Sequence, residues 1–121
     1  MNKKKIFIVD DEIPILNLFK KAFERKGYTV GTAETAEETL ENLKTEQFKV
    51  MFLDLLLPDM DGLDLCREIR KDAPDALIFA ITGHANQFEL MDCLNAGFDG
   101  YFLKPIDMEV LYKIVEEALN K

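Results

Sequence analysis

Five polar residues of this chain stand directly behind short apolar runs, and together they have the chemistry to handle a phosphoryl group and a divalent metal. Ile6-Phe7-Ile8-Val9 leads into Asp10 and Asp11, and Val50-Met51-Phe52-Leu53 into Asp54. Leu77 to Ile81 leads into Thr82, and Tyr101-Phe102-Leu103 into Lys104 and Pro105. Carboxylates on neighbouring chain segments suit magnesium, a hard cation that wants octahedral oxygen and keeps water and phosphate in part of its shell. Such carboxylates repel one another when ionised, so a bound cation would relieve strain, and weak binding selective for oxygen-preferring ions is expected. An aspartate can attack phosphorus and carry the group as an acyl phosphate. The Lys104 ammonium and the Thr82 hydroxyl would then stabilise charge on the equatorial oxygens. Neither a GxxxxGK[ST] cradle nor a GxGxxG turn occurs, so the donor is expected to be a phosphorylated molecule other than a nucleotide.

Residues so far apart in sequence meet only if the chain is wound to bring them together. The four apolar runs have the length of buried strands. A helical stripe follows the first: Ile15, Leu18, Phe19, Ala22 and Phe23, stopping before Gly27. Tyr28 to Ala33 reads as a strand of mixed polarity. Thr35, with Glu38 three residues later, makes a capping box for a second helix running to about Glu46. Leu65, Cys66 and Ile69 mark a third helix before Pro74. Phe88, Met91 and Leu94 mark a fourth, stopped at Gly97, and Val110, Leu111, Ile114, Val115 and Ala118 a fifth. Strict alternation of strand and helix predicts right-handed crossovers and a parallel sheet covered on both faces. The expected fold is α/β, a flavodoxin-like doubly wound (βα)5 with a five-stranded parallel sheet in the order 2-1-3-4-5, which sets Asp10, Asp11 and Asp54 side by side at the switch point.

At 121 residues, 48% hydrophobic and 31% charged, the chain has the composition of one globular domain, expected to span residues 1–121. The net charge of −8 argues against a surface that binds nucleic acid by neutralising its phosphates. Lys3, Lys4 and Lys5 read as a solvated flank. Asp10 and Asp11 interrupt the apolar stretch behind that run too early for a signal peptide, so a cytoplasmic location is expected. Cys66 and Cys93 lack CxxC spacing and read as reduced thiols.

Each polar residue also has an ordinary use. Asp10 or Asp11 could cap the first helix, and Thr82 the fourth. Asp59, Asp61 and Asp64 surround a Pro and Gly turn and read as turn and helix-start residues. His84 reads as an exposed side chain, and Tyr101 as either core or moving part. Asp54 is harder to explain away, because a carboxylate behind four apolar residues has no local partner to offset its burial.

Val9-Asp10-Asp11-Glu12, the Asp54 strand with Pro58 and Met60-Asp61-Gly62, Thr82-Gly83, the AGFDGY stretch ending at Tyr101, and Lys104-Pro105 together resemble the response-regulator receiver domains of two-component signalling, of the single-domain chemotaxis kind. The resemblance spans essentially the whole chain. It implies that Asp54 accepts phosphate from a phosphohistidine on a sensor histidine kinase or histidine phosphotransfer protein. It implies a Mg2+ cofactor, with Asp11 and Asp54 as direct ligands, Asp10 acting mainly through water, and the backbone carbonyl of Leu56 completing the protein ligands. Lys104 would pair with the phosphoryl oxygens. Thr82 and Tyr101 would form a switch pair that alters the surface of the fourth helix, fifth strand and fifth helix for an unknown output protein, and Lys104-Pro105 would be cis. The module would catalyse its own phosphorylation, with autodephosphorylation, rather than act as a turnover enzyme, and be a monomer or a phosphorylation-dependent dimer. Leu57 stands before Pro58 where methionine is common, and an apolar Leu56 is placed to shield the acyl phosphate. Two other classes compete. A phosphatase or phosphotransferase of the haloacid-dehalogenase type would call for DxD spacing and a cap domain. A constitutive interaction module would call for loss of the acceptor or metal residues, all of which are present.

Overall fold

The protein is described here by a computed structural model covering residues 4–83 and 87–120; His84 lies outside the described residues. Among these, five strands and five helices alternate: β1 (Lys5–Val9), α1 (Ile13–Arg25), β2 (Thr29–Ala33), α2 (Ala36–Thr45), β3 (Val50–Asp54), α3 (Gly62–Asp72), β4 (Leu77–Thr82), α4 (Gln87–Ala96), β5 (Gly100–Leu103) and α5 (Met108–Leu119). All strand pairs are parallel, and the order is β2-β1-β3-β4-β5, as the alternation predicts.

Side chains of successive strand residues take opposite faces, so each strand feeds two cores. Ile6, Ile8, Val50, Phe52, Phe79 and Ile81 pack with Leu16, Phe19 and Phe23 of α1 and Leu111, Val115 and Ala118 of α5. Phe7, Val9, Met51, Leu53, Ile78 and Ala80 pack on the other side with Leu65, Cys66 and Ile69 of α3 and Cys93 and Ala96 of α4. Four rings, Phe23, Phe52, Phe79 and Phe102, run in a row beneath the first face at centroid separations of 6.3, 5.4 and 5.7 Å. Burying both faces explains why β1 and β3 read as unbroken apolar runs, whereas edge strand β2 does not.

Helix ends follow local chemistry. Gly27 and Gly97 adopt positive φ of 93° and 108° immediately beyond α1 and α4, a conformation that costs residues with a Cβ. Thr35 accepts the Glu38 N–H at 3.1 Å, and the Glu38 carboxylate returns to the Glu34 N–H, one residue before the position a capping box ordinarily uses. Asp61 caps α3 through the Leu63 N–H. Two stripes differ from expectation. In α1 the buried residue of the first turn is Leu16, while Leu18 is 55% exposed. In α4 Met91 and Leu94 face outward and the small residues Cys93 and Ala96 face the core, because α4 packs closely on α3.

The far end of α4 is fastened by Arg70 of α3. Its guanidinium donates to the carbonyls of Gly97, Ala73, Pro74 and Ala76 and pairs with Asp99. Asp99 in turn accepts the Ile78 N–H at 2.8 Å, closing α3, β4 and the α4–β5 turn into one knot. The Lys104-Pro105 peptide is cis. No helix among the described residues is long and apolar enough to cross a membrane.

Candidate functional site

Strand register brings the polar residues together. Val9 pairs with Leu53, Asp54 with Ile81, and Thr82 with Leu103. The residue that follows each pairing therefore emerges at the same carboxyl edge of the sheet. Backbone hydrogen bonds continue past the paired residues, Asp10 N–H to the Ala33 carbonyl, Leu55 N–H to Ile81 and Lys104 N–H to Thr82, so the site stands on rigid ladder rather than loose loop. Buried Asp10, buried Asp54 and exposed Asp11 each turn an oxygen inward, and these oxygens lie within 4.8 Å of one another.

Lys104 Nζ occupies the centre of the group, 3.0 Å from Asp10 Oδ2, 3.2 Å from Glu12 Oε1 and 3.3 Å from Asp54 Oδ2. The contact with Asp10 is an ion pair by distance without hydrogen-bond alignment, which leaves Asp10 Oδ2 a buried oxygen with no hydrogen-bond donor. The Lys104 ammonium offsets part of the cost of burying that oxygen, and an aligned donor or a metal cation would offset more. Asp10 Oδ1 accepts the Glu12 N–H at 2.9 Å, and Asp54 Oδ1 accepts the Leu56 N–H at 3.1 Å.

Burial dominates the charge balance at Asp54. Loss of water raises its pKa from 3.8 to about 6; the Leu56 N–H opposes the rise, the Asp10 charge adds to it, and Lys104 offsets it. Burial also works against the Lys104 charge, but the facing carboxylates of Asp10, Asp54 and Glu12 more than reverse this and hold its pKa above the ordinary value. Crowded carboxylates around one ammonium, with Asp54 already hard to ionise, are a donor set that a hard divalent cation would stabilise.

The β3–α3 loop is held tightly under Asp54. A Cβ on Gly62 would stand 2.7 Å from the Asp54 carbonyl oxygen and 2.7 Å from Leu55 Cα, so only glycine lets α3 begin so close to β3. Leu56 and Asp61 form an isolated bridge across the loop. Asp59 does more than make a turn: its two carboxylate oxygens accept the Ala36 and Glu37 N–H groups of α2 at 2.9 and 3.0 Å, fastening the loop to that helix's positive end. The Leu56 side chain is 60% exposed beside Asp54.

The structure brings together Asp10, Asp11, Asp54 and Lys104, with Thr82 buried at the end of β4 next to them. α1 is capped by neither Asp10 nor Asp11, its N-cap being Glu12. Tyr101 is half-buried and packs on the core beneath α3 and α4. Cys66 and Cys93 are buried, and burial pushes the Cys66 thiol up to about 11, far from reactive. Two partnerships around the site have no counterpart in the sequence reading: Glu12 with Lys104, and Asp59, read as turn chemistry, with the start of α2.

A family model described as "Response regulator receiver domain" matches residues 6–116. The chain is 37% identical over 118 residues to the alkaline phosphatase synthesis transcriptional regulatory protein PhoP of Bacillus subtilis, covering 98% of this chain and 49% of that protein. The chain thus spans about half the length of that curated relative. Among solved structures, a two-component response regulator from Clostridium difficile superposes with a TM-score of 0.94 at 30% identity, covering 98% of this chain and 97% of that one. The BeF3-activated DrrB receiver domain superposes with a TM-score of 0.91 at 30% identity, covering 99% and 100%.

Proposed function

We infer the function from the premise that the chain belongs to the response regulator receiver domain family. It is a phosphorylation-dependent switch of a two-component system, and Asp54 is the residue that accepts the phosphoryl group. The observation that carries this reading is the buried carboxylate of Asp54, held within 3.3 Å of the Lys104 ammonium at the end of a central strand, beside two further aspartates.

The donor is a phosphohistidine on a sensor kinase or phosphotransfer protein. An Asp54 oxygen attacks phosphorus, the P–N bond breaks, and the imidazole leaves with its electron pair and takes a proton from solvent. Asp11, Asp54 and the Leu56 carbonyl would hold Mg2+ directly, with Asp10 acting through water, and the bound ion would neutralise charge on the transferring oxygens. Lys104 follows the developing phosphoryl charge, and the Leu56 N–H keeps the acceptor oriented. The Thr82 hydroxyl donates to a phosphoryl oxygen, and Tyr101 turns into the space so vacated, changing the face made by α4, β5 and α5. Leu90, Met91, Leu94, Leu103 and Val110 are exposed on those elements, supporting recognition by an output protein or a second copy there. Water later hydrolyses the acyl phosphate within the same site. The cell compartment is the cytoplasm, where such kinases present their phosphohistidine.

Intact-mass spectrometry after incubation with acetyl phosphate tests the reading. One phosphoryl adduct, dependent on magnesium and missing from Asp54→Asn, is expected. An adduct that persists in Asp54→Asn, or a folded wild type that takes none from acetyl phosphate or from phosphohistidine donors, refutes it.

A further inference from the structure

We propose that Glu12 is a positioning residue that tethers the Lys104 ammonium in the unphosphorylated state and so competes with a phosphoryl group on Asp54 for it. The proposal rests on the receiver reading above and adds a residue to it.

A lysine ammonium has three N–H donors, and here three carboxylates face it. Two of these, Asp10 and Asp54, are buried and belong to the acceptor and metal chemistry. Glu12 is different: its side chain is 60% exposed, and its oxygen lies closer to Nζ, at 3.2 Å, than that of Asp54 at 3.3 Å. The local backbone explains why this carboxylate is available. Glu12 is the N-cap of α1, where a side chain ordinarily accepts N–H groups of the first turn, yet it makes no such bond. Pro14 occupies the second helical position and has no N–H to offer, and the Ile15 N–H is taken by the Glu12 carbonyl. With the usual capping partners missing or engaged, the carboxylate swings instead to Lys104, 92 residues away in sequence. Its backbone is meanwhile anchored to the site through the Glu12 N–H to Asp10 Oδ1. Glu12 thus joins the β1–α1 connection to the end of β5.

A phosphoryl group on Asp54 adds oxygens that need this same ammonium. Lys104 donates to Glu12 and Asp54, and as phosphoryl oxygens draw the ammonium toward Asp54, Glu12 is the partner it can give up to solvent at least cost. Retention of the tether favours the unmodified state. Its loss favours the phosphorylated one, by the modest factor an exposed, salt-screened ion pair can supply.

Beryllofluoride is the probe, titrated at saturating magnesium onto wild type, Glu12→Gln and Glu12→Asp and followed by 1H–15N NMR at backbone amides of the site. Aspartate keeps the charge but is one methylene shorter, so it separates reach from field. The expected result is that both variants bind beryllofluoride about two- to five-fold more tightly than wild type, while Glu12→Asp keeps the wild-type magnesium affinity measured separately. If Glu12→Gln alone binds more tightly and Glu12→Asp matches wild type, Glu12 acts through its charge and the tether is overturned. Unchanged or weakened binding in both variants overturns it equally. A wild type that takes no beryllofluoride removes the receiver reading itself, and the tether with it.

Discussion

Replacing Asp54 by asparagine should make the metal-free protein more stable at pH 8, although it deletes a residue at the centre of the site. Burial raises the Asp54 pKa from 3.8 to about 6, so between those values the folded protein binds more protons than the unfolded chain. Stability then falls as pH rises, because the slope follows the difference in bound protons between unfolded and folded states. The favourable contribution is complete below about pH 4 and is lost as pH passes through about 6. A gap of about two units corresponds to about 3 kcal/mol of destabilisation once the group is fully ionised. Asparagine does not ionise and escapes this cost. The rise to about 6 is already net of the favourable pull of Lys104, so the expected gain is about 3 kcal/mol at pH 8 and none at pH 4. Urea unfolding followed by circular dichroism in EDTA, at several pH values on both proteins, reads the difference, and the other carboxylates cancel in it. Magnesium should then raise wild-type stability and narrow the gap, since a ligand of the folded state stabilises it by mass action. A variant less stable than wild type by the same margin at pH 4 and pH 8 would refute the argument, because it would mean that ionised Asp54 carries no burial cost.

Three further outcomes follow from the same geometry. Protons and magnesium compete for Asp54, so the apparent magnesium affinity should climb as pH rises toward and through about 6 and level off above it, a profile measurable by calorimetric or NMR titration. Gly62→Ala forces a Cβ to within 2.7 Å of the Asp54 carbonyl oxygen and Leu55 Cα; a loss of about 1 to 3 kcal/mol in urea unfolding is expected. Asp59→Ala removes the two acceptors that hold the Ala36 and Glu37 N–H groups at the start of α2. Because its N–H partners hold the Asp59 carboxyl below the usual range, the thermal midpoint should drop at pH 7, and the difference from wild type should fade as pH is lowered through the carboxylate range.

What could be read from the sequence was what local pattern carries. Ile6 to Val9 and Val50 to Leu53 are buried on both faces, so their apolar runs announced central strands, and the polar residues behind them followed at the sheet edge. The convergence of Asp10, Asp11, Asp54 and Lys104 at one edge of the sheet was likewise legible, since strand order and register bring them together. Partnerships set by loop paths were not. Asp59 finds its donors in α2, 22 and 23 residues earlier, and Glu12 finds Lys104 across 92. No spacing rule connects such pairs, and a Pro and Gly turn or a helix start accounts equally well for an acid at either place. In α4, Met91 and Leu94 marked a helix correctly but pointed to the wrong face, because periodicity gives a stripe without saying which side of it meets the core.

The Arg70 knot gives α4 the mechanics of a lever. One guanidinium welds the Gly97 end to α3 and to the start of β4, while the Thr82 end of β4 lies at the edge of the sheet that carries Asp54 and Lys104. A body fastened at one end answers a push by swinging rather than sliding. A push on α4 would therefore become an angular sweep of the outward-facing Met91 and Leu94, greater with distance from the pivot, with Arg70 as the fulcrum.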